Sequence, residues 1–202
     1  MGTDEEGKMS LFLLFLSAFL VNNIILMRFL GLCPFFGISS KMDTAIGMSM
    51  SVIFVMLLSS IVTWFLYVYV LVPLNLVFLR TAAFILVIAT LVQFLEIYFK
   101  KAIPTLYSAL GIYLPLITTN CAILAVAFLN IDFGHSLIQT IVYAIGVSSG
   151  FGLALIMMAG IRERIDNAPI PEPLKGLPIA FITASLMALA FLGFQGLLGL
   201  SL

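Results

Sequence analysis

Long uncharged apolar runs dominate this sequence and limit what it can fold into. A helix needs roughly 20 apolar residues to cross the hydrocarbon core of a bilayer. Six stretches approach that length, at about 9–30, 45–72, 77–99, 106–130, 136–161 and 177–200. Because a backbone in lipid must satisfy its own hydrogen bonds, these runs predict an all-α integral membrane protein with six transmembrane helices.

The composition leaves little material for structure outside the membrane. Hydrophobic residues make up 63% of the 202 positions and charged residues only 9%, whereas a soluble domain has about 25% charged residues. Nine basic and nine acidic residues balance each other, so the charge does not indicate a nucleic-acid partner. We expect a polar N-terminal extension or cloning remnant at 1–8, followed by a single transmembrane domain over 9–202 embedded in the lipid bilayer.

The distribution of basic residues predicts the orientation of the chain. Most of them lie in the loops after the first, third and fifth predicted helices or at the end of the helix that precedes the loop: Arg28, Lys41, Lys100, Lys101, Arg162, Arg164 and Lys175. The opposite side has only Lys8 and Arg80. Since cytoplasmic loops are enriched in lysine and arginine, we expect both termini on the outer side of the membrane.

Short matches between the two halves suggest an internal duplication. The segment Gly31–Pro34, near the end of the first predicted helix, corresponds to Thr118–Cys121 in the fourth. Because each half has an odd number of helices, a duplicated half would cross the membrane in the opposite direction. Inverted repeats of this kind place broken helices near the membrane midplane. We therefore predict two inverted three-helix repeats, about 9–100 and 101–202, although chance similarity in so apolar a chain is the alternative.

Each half places one cysteine beside a predicted helix interruption. Cys33 precedes Pro34, which has no N–H and disfavours helix for the residue before it. Cys121 follows Pro115 and the polar segment Thr118–Asn120. Free cysteines often act as small hydrophobes in packing, whereas two thiols at matched sites favour ligands for an iron–sulfur cluster or zinc. Such centres usually take four ligands, so a cluster here would need two more from a second protein chain.

Polar residues inside the predicted spans form two groups. Asn22 and Asn23 lie in the first span, and Thr118, Thr119 and Asn120 lie in the fourth. One interpretation is interhelical hydrogen bonds, each worth about 0.6 kcal/mol. The other is a hydrated ion path or a shell of donors around a cofactor, because hydrogen bonds to cluster sulfurs tune the reduction potential. The residues alone leave both interpretations open.

Three segments resemble a known family: Val21–Asn23, Phe29–Phe35 and Leu114–Ala122. They are similar to the A subunits of bacterial Rnf complexes, the ion-translocating ferredoxin:NAD oxidoreductases, and the similarity covers nearly the whole chain after residue 8. In the sister family, the E subunits of sodium-translocating NADH:quinone reductases, the first motif tends to have glutamate near Asn22 and threonine after the cysteine. Asn22 and Pro34 therefore favour the Rnf family.

The resemblance implies a specific assembly. This chain would pair with a homologous E subunit of opposite orientation, and each would give two cysteines, here Cys33 and Cys121, to a shared intramembrane iron–sulfur cluster, expected to be [2Fe–2S]. The Rnf B, C, D and G subunits would be further partners and would supply flavins and other clusters. The complex would lie in the bacterial cytoplasmic (inner) membrane and couple electron transfer to Na⁺ or H⁺ movement. The chain would be one component of this redox-driven translocase, without a complete active site of its own.

Two other functions are compatible with the residues alone. A cofactor-free secondary transporter or channel would explain the repeat and the polar residues but would leave the cysteines without a role. It predicts no iron and full activity after Cys33→Ser. A scaffold protein without a cofactor predicts assembly defects only.

Overall fold

The computed structural model describes residues 3–74, 77–102, 114–169 and 171–195, and regular structure within these ranges is entirely helical. In chain order the elements are α1 (Thr3–Leu16) with a π-helical turn (Ser17–Val21), α2 (Leu32–Ile38), α3 (Met42–Leu66) with a second π-helical turn (Tyr67–Leu71), a 3₁₀ turn (Val77–Leu79), α4 (Arg80–Ala102), α5 (Leu114–Thr118), α6 (Cys121–Asp132), α7 (Leu137–Asp166), a 3₁₀ turn (Glu172–Leu174) and α8 (Leu177–Gln195).

The lengths of the apolar helices agree with a multi-pass membrane protein. Three segments of the described chain are long and apolar enough to span a bilayer, namely Met42–Leu71, Val77–Phe94 and Leu137–Asp166. Three shorter apolar helices of 10–17 residues accompany them: Ser10–Val21, Leu116–Asp132 and Leu177–Gly193. The six complete spans stay a prediction, since the start of the span predicted at 106–130 and the end of that at 177–200 lie outside the described residues.

The first predicted span is not one continuous helix. Helical structure ends at Val21, and the chain is irregular until α2 begins at Leu32, so the span predicted at about 9–30 is helical only over its first two thirds. Pro34 is not the cause of the break. It is the third residue of α2, inside the first turn, where a missing N–H leaves no intrahelical hydrogen bond unmade. The interruption therefore precedes Cys33 rather than falling on it.

A second interruption lies beside the other cysteine, where the sequence predicts one. Helix α5 ends at Thr118 and α6 begins at Cys121, with Asn120 as its N-cap in an extended conformation (φ −70°, ψ 107°). The described chain thus contains two comparable units, in which a helix stops and a second begins at or next to a cysteine. The inverted repeat that would relate these units stays a prediction.

Helix α7 is the central element of the fold, and α1 packs directly on it. Gly146 faces Ala18, and an added Cβ there would lie 3.0 Å from the Ala18 Cβ. At Gly150 an added Cβ would lie 2.7 Å from the Phe19 carbonyl oxygen. These glycines allow the two backbones to approach closely, as small residues do in membrane helix pairs. Because residue numbers rise together along the contact, α1 and α7 run in parallel.

Helix α3 covers another side of α7 and runs in the opposite direction. Gly152 of α7 faces Ser49, and Gly160 near the end of α7 faces Met42 at the beginning of α3. Large side chains from several helices fill the space between these elements and are fully buried, among them Phe35, Phe84, Phe151, Met48, Met56, Ile123, Leu155 and Met158. This single core holds both interruptions in place.

Candidate functional site

The two helix interruptions meet inside the folded chain. The backbone N–H of Gly31 donates a hydrogen bond to the Cys121 sulfur, with the nitrogen 2.9 Å from Sγ. Cys33 is two residues further along, in the first turn of α2. The fold therefore brings the two sequence-predicted cysteine segments together, although 88 positions separate the cysteines themselves.

Gly31 is required at this junction for two reasons. It is the N-cap of α2 and has left-handed backbone angles (φ 79°, ψ 25°), which residues with a Cβ rarely adopt. A Cβ would also lie 2.8 Å from the Phe151 ring and 3.2 Å from Asn120 Oδ1. A side chain would therefore push the first interruption away from the second.

Both thiols lie on the surface of the chain, whereas their neighbours are buried. Cys33 and Cys121 are exposed, but Phe35 and Ala122 are each 0% exposed. This pattern argues against the interpretation that the cysteines only fill space in the core. Exposed thiols on the two joined interruptions of an otherwise apolar protein are accessible to groups from outside this chain.

This chain alone does not complete a metal site in its described part. No group of three or more histidine, cysteine, aspartate or glutamate side chains comes together there. Thiolates are suitable ligands for iron–sulfur clusters, which usually take four. The donor set of two thiols fits half of such a cluster, and a second protein chain would have to complete it.

Asn120 places a buried polar group next to Cys121. Its side chain is only 4% exposed, and its Oδ1 accepts the Ala122 N–H at 3.0 Å, which caps α6. Its Nδ2 has no hydrogen-bond partner within the described structure. Because an unsatisfied buried donor is costly, this N–H₂ group is suited to a partner beyond the described residues.

A cavity of about 370 Å³ opens beside Cys121, between α4 and the α5–α6 interruption. Its polar side consists of Thr118, Thr119, Asn120 and the cysteine, and its apolar side includes Ile88 of α4. The cavity thus gathers the whole polar group that the sequence predicts in the fourth span. Neither asparagine of the first span lines it.

Asn23 instead fastens the first interruption to α7. It is fully buried, and its Nδ2 donates to the Gly150 carbonyl at 2.8 Å. Its Oδ1 accepts the N–H groups of Ile25 at 3.1 Å and Leu26 at 3.4 Å. Asn22 is only half-buried, and its backbone N–H closes the π-helical turn. The contacts of Asn23 match the structural interpretation of this residue.

Arg162 contributes to the site although the sequence places it only among loop charges. It lies within α7, near the end of that helix. Its Nη1 donates to the Phe36 carbonyl at 2.8 Å and to Ser39 Oγ at 2.9 Å. Both acceptors belong to the carboxyl end of α2, the helix that holds Cys33. The sequence contains no local signal for this contact because the partners are more than 120 positions apart.

His135 organises the opposite end of α6. The Trp64 indole N–H donates to the His135 carbonyl at 3.0 Å, and His135 Nδ1 lies 3.1 Å from Asn130 Oδ1. Partial burial lowers the pKa of His135 below its ordinary value of 6.5, because desolvation disfavours the charged imidazolium.

Comparison with known proteins gives a consistent match. The family model described as "Rnf-Nqr subunit, membrane protein" matches residues 11–198. The A subunit of the ion-translocating oxidoreductase complex of Photorhabdus laumondii is 54% identical over 186 residues, covering 92% of this chain and 96% of the relative. Proteins with the same name from Escherichia coli O1:K1 and Shigella boydii serotype 18 are each 54% identical over 188 residues, covering 93% of this chain and 97% of the relative.

Proposed function

This chain belongs to the Rnf-Nqr family of membrane subunits, and we propose that it relays electrons within the membrane as the A subunit of an Rnf-type complex. In this proposal Cys33 and Cys121 hold one half of an iron–sulfur cluster, and a homologous E subunit holds the other half. The observation that carries the proposal is the contact between the two interruptions, in which Gly31 donates to the Cys121 sulfur.

The exposure of the two thiols supports a shared cluster rather than one enclosed by this chain. Cys33 and Cys121 are exposed, and the described residues offer no third ligand beside them. A [2Fe–2S] cluster with four thiolate ligands would take two from each protein. When bound, such a cluster supplies one-electron transfer at a membrane depth that soluble redox partners do not reach.

The chain's own groups would orient the ligands and adjust the reduction potential. The Gly31 N–H directs a hydrogen bond at the Cys121 sulfur, and such bonds stabilise the more negative, reduced state. Asn120 lines the same cavity as Cys121, and its Nδ2, which has no partner among the described residues, would be a second donor. Phe35 and Phe151, both fully buried, exclude water behind the site.

The cavity beside Cys121 supports a link between electron transfer and ion movement. Thr118, Thr119 and Asn120 line it at the break between α5 and α6, and broken helices in transporters offer oxygen atoms to Na⁺ or H⁺. An added negative charge on the Cys121 side would favour a cation in this cavity. Moving one charge against 100 mV requires about 2.3 kcal/mol, which a redox step can supply. We assign Asn22 and Asn23 to the support of this path and not to its lining.

We also propose the orientation of the chain in the membrane and the subunits that surround it. Both termini would lie outside the cytoplasmic membrane of a bacterium, and the Arg162 end of α7 would face the cytoplasm, as the basic residues favour. The parallel direction of α1 and α7 is consistent with this arrangement. The E subunit would cover the thiol-bearing surface, and the B, C, D and G subunits would be further partners that carry flavins and the remaining clusters.

Electron transfer and ion uptake in inverted membrane vesicles test the proposal together. We expect Cys33→Ser and Cys121→Ser each to abolish ferredoxin-dependent NAD reduction and the ion uptake coupled to it, with the whole complex still assembled. Gly193→Ala in α8 is the control, because a Cβ at Gly193 has no atom within 4 Å and this position belongs to neither interruption. Ion uptake that persists in Cys33→Ser would favour a cofactor-free transporter. A smaller amount of assembled complex, with unchanged activity per assembled complex, would favour a scaffold.

A further inference from the structure

We infer that Arg162 is a positioning residue that fixes α2, and with it the Cys33 thiol, by capping the carboxyl end of that helix. The role of Cys33 as a cluster ligand rests on the proposed function. The positioning itself rests on contacts within this chain. Arg162 lies in α7, whereas Cys33 lies in α2, so the inference links the central helix of the fold to one of the two thiols.

Helix α2 is too short to be stable without contacts from other elements of the fold. It has seven residues, and isolated helices shorter than about 12–15 residues are marginal. Its last carbonyl groups have no partners within the helix. Arg162 Nη1 supplies one at the Phe36 carbonyl, at 2.8 Å, and binds the hydroxyl of the C-cap residue Ser39 at 2.9 Å. Ser39 is fully buried, so water does not replace this contact.

The cap acts close to the thiol. Phe36 follows Cys33 by three residues, which places the two on the same face of α2, one turn apart. The amino end of α2 is fixed separately by Gly31, which packs against Phe151. The carboxyl end also has the burial of Phe35 and Ile38 and a hydrogen bond from Thr44 Oγ1 to the Ile38 carbonyl at 3.3 Å. Without the arginine, this end keeps those contacts but loses its charged donor, so α2 is held less firmly there than at Gly31.

Cys121 does not depend on this cap. Its helix, α6, is capped by Asn120, whose Oδ1 accepts the Ala122 N–H. Loss of Arg162 should therefore disturb Cys33 more than Cys121. This asymmetry separates a positioning role from a general contribution to folding, which would affect both cysteines alike.

Four variants of the intact complex test the inference: Arg162→Gln, Arg162→Lys, Ser39→Ala and Arg164→Gln. Arg164 is the matched control, since it is an exposed arginine on the same helix whose side chain makes no hydrogen bond within the described structure. After iron is removed with a chelator, the rates of maleimide labelling at Cys33 and Cys121 are measured by mass spectrometry. We expect Arg162→Gln to raise the Cys33:Cys121 rate ratio at least about five-fold, the effect of losing a modest stabilising contact.

The other variants show which part of the Arg162 contact changes the labelling ratio. Arg162→Lys should restore part of the wild-type ratio because it keeps a cationic donor, although it lacks the planar fork of arginine. Ser39→Ala should shift the ratio in the same direction by less, and Arg164→Gln should leave it unchanged. In complexes that contain iron, Arg162→Gln should release it to a chelator about 10-fold faster, as loss of a supporting contact does at metal sites.

An unchanged labelling ratio in Arg162→Gln would overturn the inference, and so would an equal rise at both cysteines. If Arg162→Gln does not assemble, unchanged ratios in Arg162→Lys and Ser39→Ala would overturn it in the same way. Absence of iron from the wild-type complex would instead contradict the proposed cluster. The labelling ratio would still decide whether Arg162 positions Cys33.

Discussion

The Gly31 backbone nitrogen lies 2.9 Å from the Cys121 sulfur and donates a hydrogen bond to it across 90 positions of sequence. This bond joins the end of the first helix interruption to the beginning of α6. The glycine conformation, the Asn120 cap and the exposed thiols all lie around it. The two interruptions therefore form one site, and each element of that site can be tested separately.

The Gly31→Ala variant should disrupt this junction. Its Cβ would lie 2.8 Å from the Phe151 ring, and the left-handed backbone at φ 79° adds strain of about 1–3 kcal/mol. We expect a lower melting temperature of the purified complex and faster maleimide labelling at Cys121. Gly193→Ala, in α8 and with no atom within 4 Å of the added Cβ, should leave both unchanged or slightly improved. Equal behaviour of the two variants would contradict this description of the junction.

The Asn23→Leu variant should reduce electron transfer and ion uptake to the same extent. Asn23 holds the first interruption on α7 through the Gly150 carbonyl, and loss of its bonds leaves buried partners unsatisfied at a cost of about 1–3 kcal/mol. The measurement is the ratio of ions moved to electrons transferred in vesicles. Asn22→Ala, at the adjacent half-buried position, should change activity much less. A fall in the ion-to-electron ratio after Asn23→Leu would assign Asn23 to the ion path instead.

The Asn120→Ser variant isolates the unpartnered amide of this residue. Serine is also a good N-cap, so the bond to the Ala122 N–H can be kept while Nδ2 is removed. Because a lost donor makes a cluster harder to reduce, we expect a more negative midpoint potential in a redox titration monitored by EPR. Asn120→Ala, which removes the cap as well, should in addition lower the melting temperature. An unaltered potential in Asn120→Ser would show that Nδ2 does not reach the cluster.

His135 should make the complex less stable in mild acid. Its pKa is lowered in the folded protein by burial, so the unfolded chain binds a proton more readily as the pH falls through about 6.5. Stability from the neutral imidazole is fully present above that pH and is lost below it. We expect the melting temperature to fall between about pH 7 and pH 5.5 by about 2 °C more in the wild type than in His135→Gln. Parallel pH profiles would exclude His135 as the cause.

The sequence predicts apolar membrane helices and a helix interruption near each cysteine, but it does not predict that the first interruption begins as early as Asn22. Ile24, Ile25 and Leu26 are as apolar as any transmembrane helix, so hydropathy continues through the break. The break depends instead on the Asn23 side chain, which binds the Ile25 and Leu26 N–H groups, and on Phe29, which adopts a positive φ of 55°. The break therefore depends on tertiary contacts, since α7 supplies the hydrogen-bond partner that holds Asn23 in place.

The two polar groups also differ in a way that composition does not reveal. Asn23 and Asn120 both lie in apolar spans, and the Oδ1 of each accepts backbone N–H groups that follow it. The Nδ2 of Asn23 binds α7, whereas the Nδ2 of Asn120 has no partner in the described structure. The sequence places Arg162 only among the loop charges, but it reaches α2 from inside α7. Contacts over such distances depend on helix packing, which a single sequence does not specify.

The most direct test of the account is the iron content and low-temperature EPR spectrum of the purified complex, compared among wild type, Cys33→Ser and Cys121→Ser. Both cysteines are exposed on one chain that gathers no third ligand in its described part, so each should be indispensable to a cluster completed by the partner. The account predicts that one and the same signal disappears in both variants while the whole complex stays assembled. Unchanged iron and unchanged signals in either variant would contradict it.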